Sequence, residues 1–519
     1  MLSTIIIDQL QARGQVVQYH FFSEGHQAKR TAAYGLLSIA TQLAQSNESF
    51  RKALLSLHQE TGLSFNNQTQ SFHKIWETVF EGIVFRLQYP QPLVWVLDGI
   101  DESDTPDTLL AHLSQIQSQT PVKIFFSSRP LKAISRFDSV RARTYLLRED
   151  DTADDIRRYA ENVVRQAIPD DEDLLNDIVG QTMISSSGSF LWVKLVLDAL
   201  EDHWHTQDGI RAALTEFPNG MVPMYKRMLG RIDSQTSRNR TMTRRILTWA
   251  ICSWRPLLLD ELQTALEPEF GNFVNLEHTV TQVCGNFISI THTNCQKQVS
   301  LVHKTARDFL FQGDPQSGAA PFIKLEDGHR HLALTCLRYL SSNHWRRHFD
   351  SVHVATRSQA QPGSANKTPN RLLIAENGHP LLGYAACYWA YHVSKSPVHD
   401  PELLHVLKKF LLKCLLSWIE AISLSGNLRY LMRSTQYLKA YVKRHAQPHN
   451  LGDSDQLISL KARPEHDVEW ITSWSVDINQ VVGKFGSALI FDPPSVYRQL
   501  PPFCPKKSMI GMTYGSRQE

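Results

Sequence analysis

Leu93-Val94-Trp95-Val96-Leu97-Asp98-Gly99-Ile100-Asp101-Glu102 decides how this chain is read. Five apolar residues run into an acid, a glycine and two further acids. The apolar run has the length and character of a buried strand. In open parallel sheets, ligands bind beyond the carboxyl ends of the strands. A carboxylate at Asp98 is therefore placed to hold magnesium, directly or through water, and Asp101 or Glu102 to position a water. A buried strand that simply ends in an Asp-Gly turn would start the same way. The D-G-x-D-E spacing of the acids favours the site. The usual companion of such a segment is the phosphate-cradling loop G-x-x-x-x-G-K-[ST], and the sequence contains none. Its one Gly-Lys pair, Gly483-Lys484, is followed by Phe485 and has Ile478 where the first glycine should stand.

The neighbouring segments extend the pattern. Val122 to Ser128 is a second apolar strand, and Arg129 follows it directly in Ser127-Ser128-Arg129-Pro130. If the two strands are neighbours, Arg129 reaches whatever Asp98 serves, and a guanidinium suits a terminal phosphate. A solvated arginine after a strand fits the same spacing. Val16 to Phe22 reads as a strand, and Thr144 to Leu147 as a last short one. Helical spacing covers Met1 to Gln11, Thr31 to Ala44, Ser49 to Glu60, Ser71 to Leu87 and Asp107 to Ser118. Near-continuous apolar strands alternating with helices predict a parallel sheet covered on both faces. From Asp151 helices take over. Residues 239 to 312 add two short β-like runs, 286–290 and 298–302, a mixture that suits a winged helix. The polar stretch 351–370 interrupts a helical C-terminal half.

Bulk properties bound the rest. With 519 residues, three or four domains are expected. A net charge of +3 gives no electrostatic case for nucleic acid or membrane. Seven scattered cysteines lack ligand spacing and fit a reducing compartment. The run Phe410 to Leu424 carries Lys413 and Glu420 and reads as a core helix. His303 ends a β-like run and opens a helix, where a packed or capping role is the common one. His344 and His348, four apart, lack a third metal ligand. The six arginines between Arg227 and Arg245 read as a solvated helix face.

Taken in order, these segments resemble fungal NACHT-type NTPases of the STAND signalling class, NLR-like proteins associated with heterokaryon incompatibility. Val94 to Glu102 resembles their Walker B segment, and Lys123 to Pro130 their sensor strand with its arginine. Gly188-Ser189-Phe190-Leu191-Trp192 is similar to the fungal form of the G-x-P segment, with Phe190 where the proline that meets adenine would be. Trp254 to Leu262 resembles the start of the winged helix. Val302-His303 to Leu310 resembles the M-H-D segment, whose histidine approaches the ADP β-phosphate; Lys304 here replaces the Asp. Ala385 to His392 and Gly486 to Phe491 resemble the helical connector that precedes WD or ankyrin repeats.

The resemblance implies an α/β plus α architecture. A partial P-loop NTPase core (1–148) would lead to a helical domain (149–238), a winged helix (239–315), an α-helical connector (316–500, with the loop 351–370) and a disordered tail (501–519). It implies ATP or ADP with Mg2+ as cofactor. Asp98 would hold the metal, Asp101 or Glu102 the water, Arg129 the γ-phosphate, and His303 and Phe190 the remainder of the nucleotide. Met1 to Leu10 resembles the helix that normally begins inside the phosphate loop. An N-terminal truncation is therefore expected, with the first strand and the loop missing and the C-terminal repeats absent. Losing an inner strand leaves a slot of about 10 Å, with two unpaired edges or a repacked sheet. Nucleotide binding is then expected to be impaired, and an enzymatic role in this chain is doubtful. The alternative is a non-enzymatic helical scaffold or decoy that pairs with intact relatives. Either way the expected partners are proteins, by self-association or with other NACHT proteins, in the cytoplasm.

Overall fold

The computed structural model describes residues 2–23, 25–61, 71–116, 120, 122–129, 131, 133–134, 143–186, 188–201, 204–293, 296–312, 322–342, 345, 378–398, 400–446 and 464–515. The chain forms two compact units, Met1–Met224 with Trp254–Pro256, and Tyr225–Ser253 with Leu257–Glu519.

The first unit is built on three parallel strands, β1 (Val17–Phe21), β2 (Leu93–Asp98) and β3 (Val122–Phe126), in the order β1-β2-β3. Parallel strands need crossovers, which are usually helices. Between β1 and β2 lie α2 (Gln27–Arg30), α3 (Ala32–Ser46), α4 (Glu48–Thr61) and α5 (Phe72–Ile75), the last running on as a π-helical stretch, Trp76–Val84. Between β2 and β3 lies α6 (Pro106–Gln115). The central strand β2 is buried from Leu93 to Leu97. One face packs Val94 and Val96 with Val17 and with Ile7 of α1 (Leu2–Ala12). The other packs Trp95 and Leu97 with Leu36, Ile75, Phe80 and Leu110. The Trp95 ring sits 5.4 Å from Phe80 and 6.2 Å from Phe85. Both faces are apolar because both are covered, which is why β2 does not alternate.

The outer edge of β1 has a side-chain seal. The Gln42 amide of α3 accepts from Tyr19 N (2.9 Å) and donates to Tyr19 O (2.8 Å). It thereby supplies both hydrogen bonds that a further strand would make to this residue, and so blunts an edge open to pairing.

Thr144–Leu147 is not a strand. Residues 143–148 are irregular, and Tyr145, Leu146 and Leu147 are 76%, 67% and 57% exposed. An apolar run becomes a strand only where a neighbour offers backbone groups to it, and among the described residues the sheet ends at β3. The following helices are α7 (Glu149–Ala167), α8 (Glu172–Ser186), α9 (Phe190–Leu200), α10 (Gln207–Thr215) and α11 (Met221–Asp233), within which the division between units falls. Asp151 starts α7 by accepting from Arg148 N at 2.7 Å, the reach-back bond of a capping box.

The second unit opens with α12 (Ser237–Cys252), β4 (Leu257–Leu258), α13 (Leu259–Phe270), α14 (Leu276–Cys284), β5 (Ile288–Thr293) and β6 (Gln296–Leu301). Its sheet is antiparallel with order β4-β6-β5. Helices followed by a two-stranded wing make the winged helix expected there. After α15 (Lys304–Gln312) and α16 (Leu325–Leu340) come α17 (Leu382–Lys395), α18 (Pro401–Lys413), α19 (Leu415–Leu424), α20 (Arg429–Ala446) and α21 (Pro464–Phe491). Phe410 to Leu424 is split between α18 and α19, and every residue of α19 is buried. No helix among the described residues is long and apolar enough to cross a membrane.

The expected disordered tail is corrected as well. Residues 501–515 belong largely to α22 (Val496–Phe503) and α23 (Met509–Tyr514). Ile510 and Tyr514 are buried, Tyr514 OH donates to Leu411 O (2.9 Å), and Asp477 accepts from Ile510 N (3.0 Å). The prolines suggested a loose segment, but two apolar anchors at helical spacing outweigh them. The loop 351–370, His344 and His348 lie outside the described residues.

Candidate functional site

Asp98 is the last residue of β2, level with Phe21 at the end of β1. Its backbone carbonyl accepts from Phe22 N at 2.9 Å, which anchors it to the neighbouring strand. Gly99 then turns the chain in the left-handed region, φ +66°, where a residue with a Cβ is strained. Ile100–Glu102 follows as one turn of 3-10 helix, pinned by the buried Ile100.

The end of β3 holds this turn in place. Phe126 pairs with Leu97, so Ser127 lies level with Asp98. Ser127 N donates to Leu97 O (3.0 Å), and Ser127 O accepts from Ile100 N (3.0 Å). Its hydroxyl accepts from Gly99 N (3.0 Å) and donates to Asp98 Oδ1 (2.7 Å). The buried Ser3 of α1 donates its hydroxyl to the same oxygen. Two residues on, Arg129 N donates to Asp101 Oδ1 (3.1 Å), with its guanidinium Nε 3.8 Å from Asp101 Oδ2. The Asp101 side chain is only 10% exposed while that of Arg129 is 45% exposed.

Four predicted residues thus gather at the carboxyl ends of two adjacent parallel strands: Asp98 ends β2, Asp101 and Glu102 lie in the turn after it, and Arg129 follows β3. The crowding of acids is relieved locally, by two hydroxyls at Asp98 and by Arg129 at Asp101. Among the described residues no cluster of three or more His, Cys, Asp or Glu is arranged to hold a metal. Asp98 fits magnesium in a different sense. That ion is commonly bound by one or two carboxylates, with phosphate oxygens and waters filling the octahedron. Asp98 is a single hard oxygen donor of this kind.

The other two predicted residues belong to other elements. Phe190 begins α9, where Ser189 caps Trp192 N (3.2 Å), and its ring is 6.3 Å from Tyr159. His303 is in the second unit, just before α15. Its Nδ1 accepts from Thr305 N (3.2 Å) and lies 2.9 Å from the Thr305 hydroxyl, so the ring proton resides on Nε2. Thr305 in turn bonds Tyr225 OH at 2.7 Å. His303 thus bonds the first turn of α15 through its side chain. Ser3 and Ser127 were not anticipated. Ser127 is placed beside Asp98 only by the register of β2 and β3, which pairs Phe126 with Leu97.

Residues 1–129 match the family described as "Nephrocystin 3, N-terminal", and residues 231–321 match "GPI inositol-deacylase, winged helix domain". A curated relative is 28% identical over 249 residues, which is 46% of this chain and 18% of that protein. These similarities, with the parallel α/β unit and the winged helix, support a NACHT/STAND-type protein. The relative is the "Vegetative incompatibility protein HET-E-1" of Podospora anserina, and the chain spans less than a fifth of its length.

Proposed function

We propose that this chain carries the magnesium and sensor side of an ATP/ADP-dependent switch in fungal self/non-self recognition or programmed cell death. The observation that carries the reading is the juxtaposition of Asp98 with the Asp101–Arg129 pair at the carboxyl ends of β2 and β3. When nucleotide is present, magnesium neutralises phosphate charge. Asp98 would hold that ion through a carboxylate oxygen. Arg129 would leave Asp101 for the terminal phosphate, and the released Asp101, or Glu102, would orient a water. Phe190, at the start of α9, would face the adenine. The 519 residues contain no G-x-x-x-x-G-K-[ST] loop, whose backbone N–H nest and lysine would offset phosphate charge. Affinity for nucleotide is accordingly expected to be weak. The location that goes with this role is the cytoplasm.

A second reading is a non-enzymatic scaffold or decoy that pairs with intact relatives. It is favoured by one feature: Asp98 and Asp101 already have protein partners in Ser3, Ser127 and Arg129. Co-purification with a full-length relative separates the two readings. If capture depends on ADP or ATP–Mg2+ and is lost in Asp98→Ala, the switch is supported. Capture that ignores both nucleotide and Asp98→Ala supports the scaffold.

A further inference from the structure

We infer that Ser127 is the positioning residue for Asp98, fixing which carboxylate oxygen meets a hard divalent cation. The inference rests on the magnesium reading of Asp98 given above. Gly99 N–H can only donate, and it donates to Ser127 Oγ at 3.0 Å. The hydroxyl proton is thereby directed away from Gly99, and the acceptor it meets is Asp98 Oδ1 at 2.7 Å. Ser3 adds a second donor to the same oxygen. Among the described residues both hydroxyls fall on Oδ1 and none on Oδ2. The carboxylate thus has one saturated oxygen and one left to face a ligand, which is monodentate geometry. The same Ser127 ties down the turn on either side of Gly99, through Leu97 O and Ile100 N. Rotation of the Asp98 carboxyl would break its bond to Ser127 and strand the Ser127 proton.

Partners that orient a metal ligand in this way are typically worth about 10- to 100-fold in metal affinity. The direct probe is Mn2+ alone, titrated into the full 519-residue chain and followed by the electron paramagnetic resonance signal of the free ion. Asp98→Asn defines the site by difference. Wild type is expected to bind one Mn2+ more than Asp98→Asn does, in the millimolar range. Ser127→Ala should weaken that increment about tenfold, and Ser127→Thr, which keeps the hydroxyl, should restore it. Thermal unfolding of each variant is recorded in parallel. A Ser127→Ala chain that loses thermal stability yet binds Mn2+ like wild type overturns the positioning role. So does a Ser127→Thr chain that binds no better than Ser127→Ala. Equal binding by wild type and Asp98→Asn instead removes the magnesium reading, and the role of Ser127 falls with it.

Discussion

Acid should destabilise the second unit through a histidine pair that nothing in the sequence marks. His329 of α16 and His392 of α17 meet with their Nδ1 atoms 3.0 Å apart, and Tyr384 OH lies 2.9 Å from His392 Nε2. One ring must donate and the other accept, so the pair bonds only while at least one ring is neutral. Burial lowers the pKa of both. His329 is pushed down to about 3, chiefly by burial, with Lys395, Arg307 and Arg444 adding to it. His392 is held well below its ordinary value by burial and by His329. Once unfolded, each ring returns to about 6.5. Between pH 6.5 and about 3 the unfolded chain therefore binds protons that the folded chain refuses. The stability contributed by this refusal is complete above pH 6.5 and drains away as pH falls towards 3. At about pH 5, His329 alone accounts for a loss of about 2 kcal/mol. Urea unfolding of the wild type and of a His329→Leu/His392→Phe double variant at pH 7.5 and pH 5 isolates the effect, because the other titrating groups are common to both chains. The variant should start less stable but lose at least about 2 kcal/mol less between the two pH values, since His392 adds to the His329 term with the same sign. Equal losses in the two chains would show that the histidine pair does not govern the acid response.

Three further outcomes follow from single contacts. Gln42→Leu removes both side-chain bonds to Tyr19; a loss of about 1–2 kcal/mol in denaturant unfolding is expected, with increased self-association in analytical ultracentrifugation as the β1 edge opens. Gly99→Ala places a Cβ at φ +66°, 3.6 Å from Phe22 O; the strain, about 1–2 kcal/mol, comes from the backbone conformation and not from a clash, and should appear as a lowered melting temperature. Tyr514→Phe deletes the bond to Leu411 O; a cost of about 1–3 kcal/mol should make residues 504–515 cleave earlier in limited proteolysis.

What the sequence revealed and what it hid have physical causes. A central parallel strand must be apolar on both sides, so Leu93–Leu97 announced itself, and an acid at its end had to lie at the sheet's carboxyl edge. The helices were legible because their apolar faces repeat at helical period, as in Ala32–Ser46 and Glu172–Ser186. Ser127 and Ser3 were invisible because their meaning depends on register and on a contact 95 residues away in the chain. Thr144–Leu147 misled because strand formation is decided by a partner and not by composition. The tail misled for the opposite reason, since Ile510 and Tyr514 anchor a proline-containing segment that local propensity would leave loose. His329 and His392, 63 residues apart, carry no joint signal at all.

If these strands carry a magnesium and sensor half-site without its phosphate cradle, as proposed, nucleotide must bind weakly. Titrating a fluorescent ADP with Mg2+ against the purified 519-residue chain measures this affinity. Binding weaker than millimolar is expected. Saturable binding in the micromolar range would overturn the half-site reading.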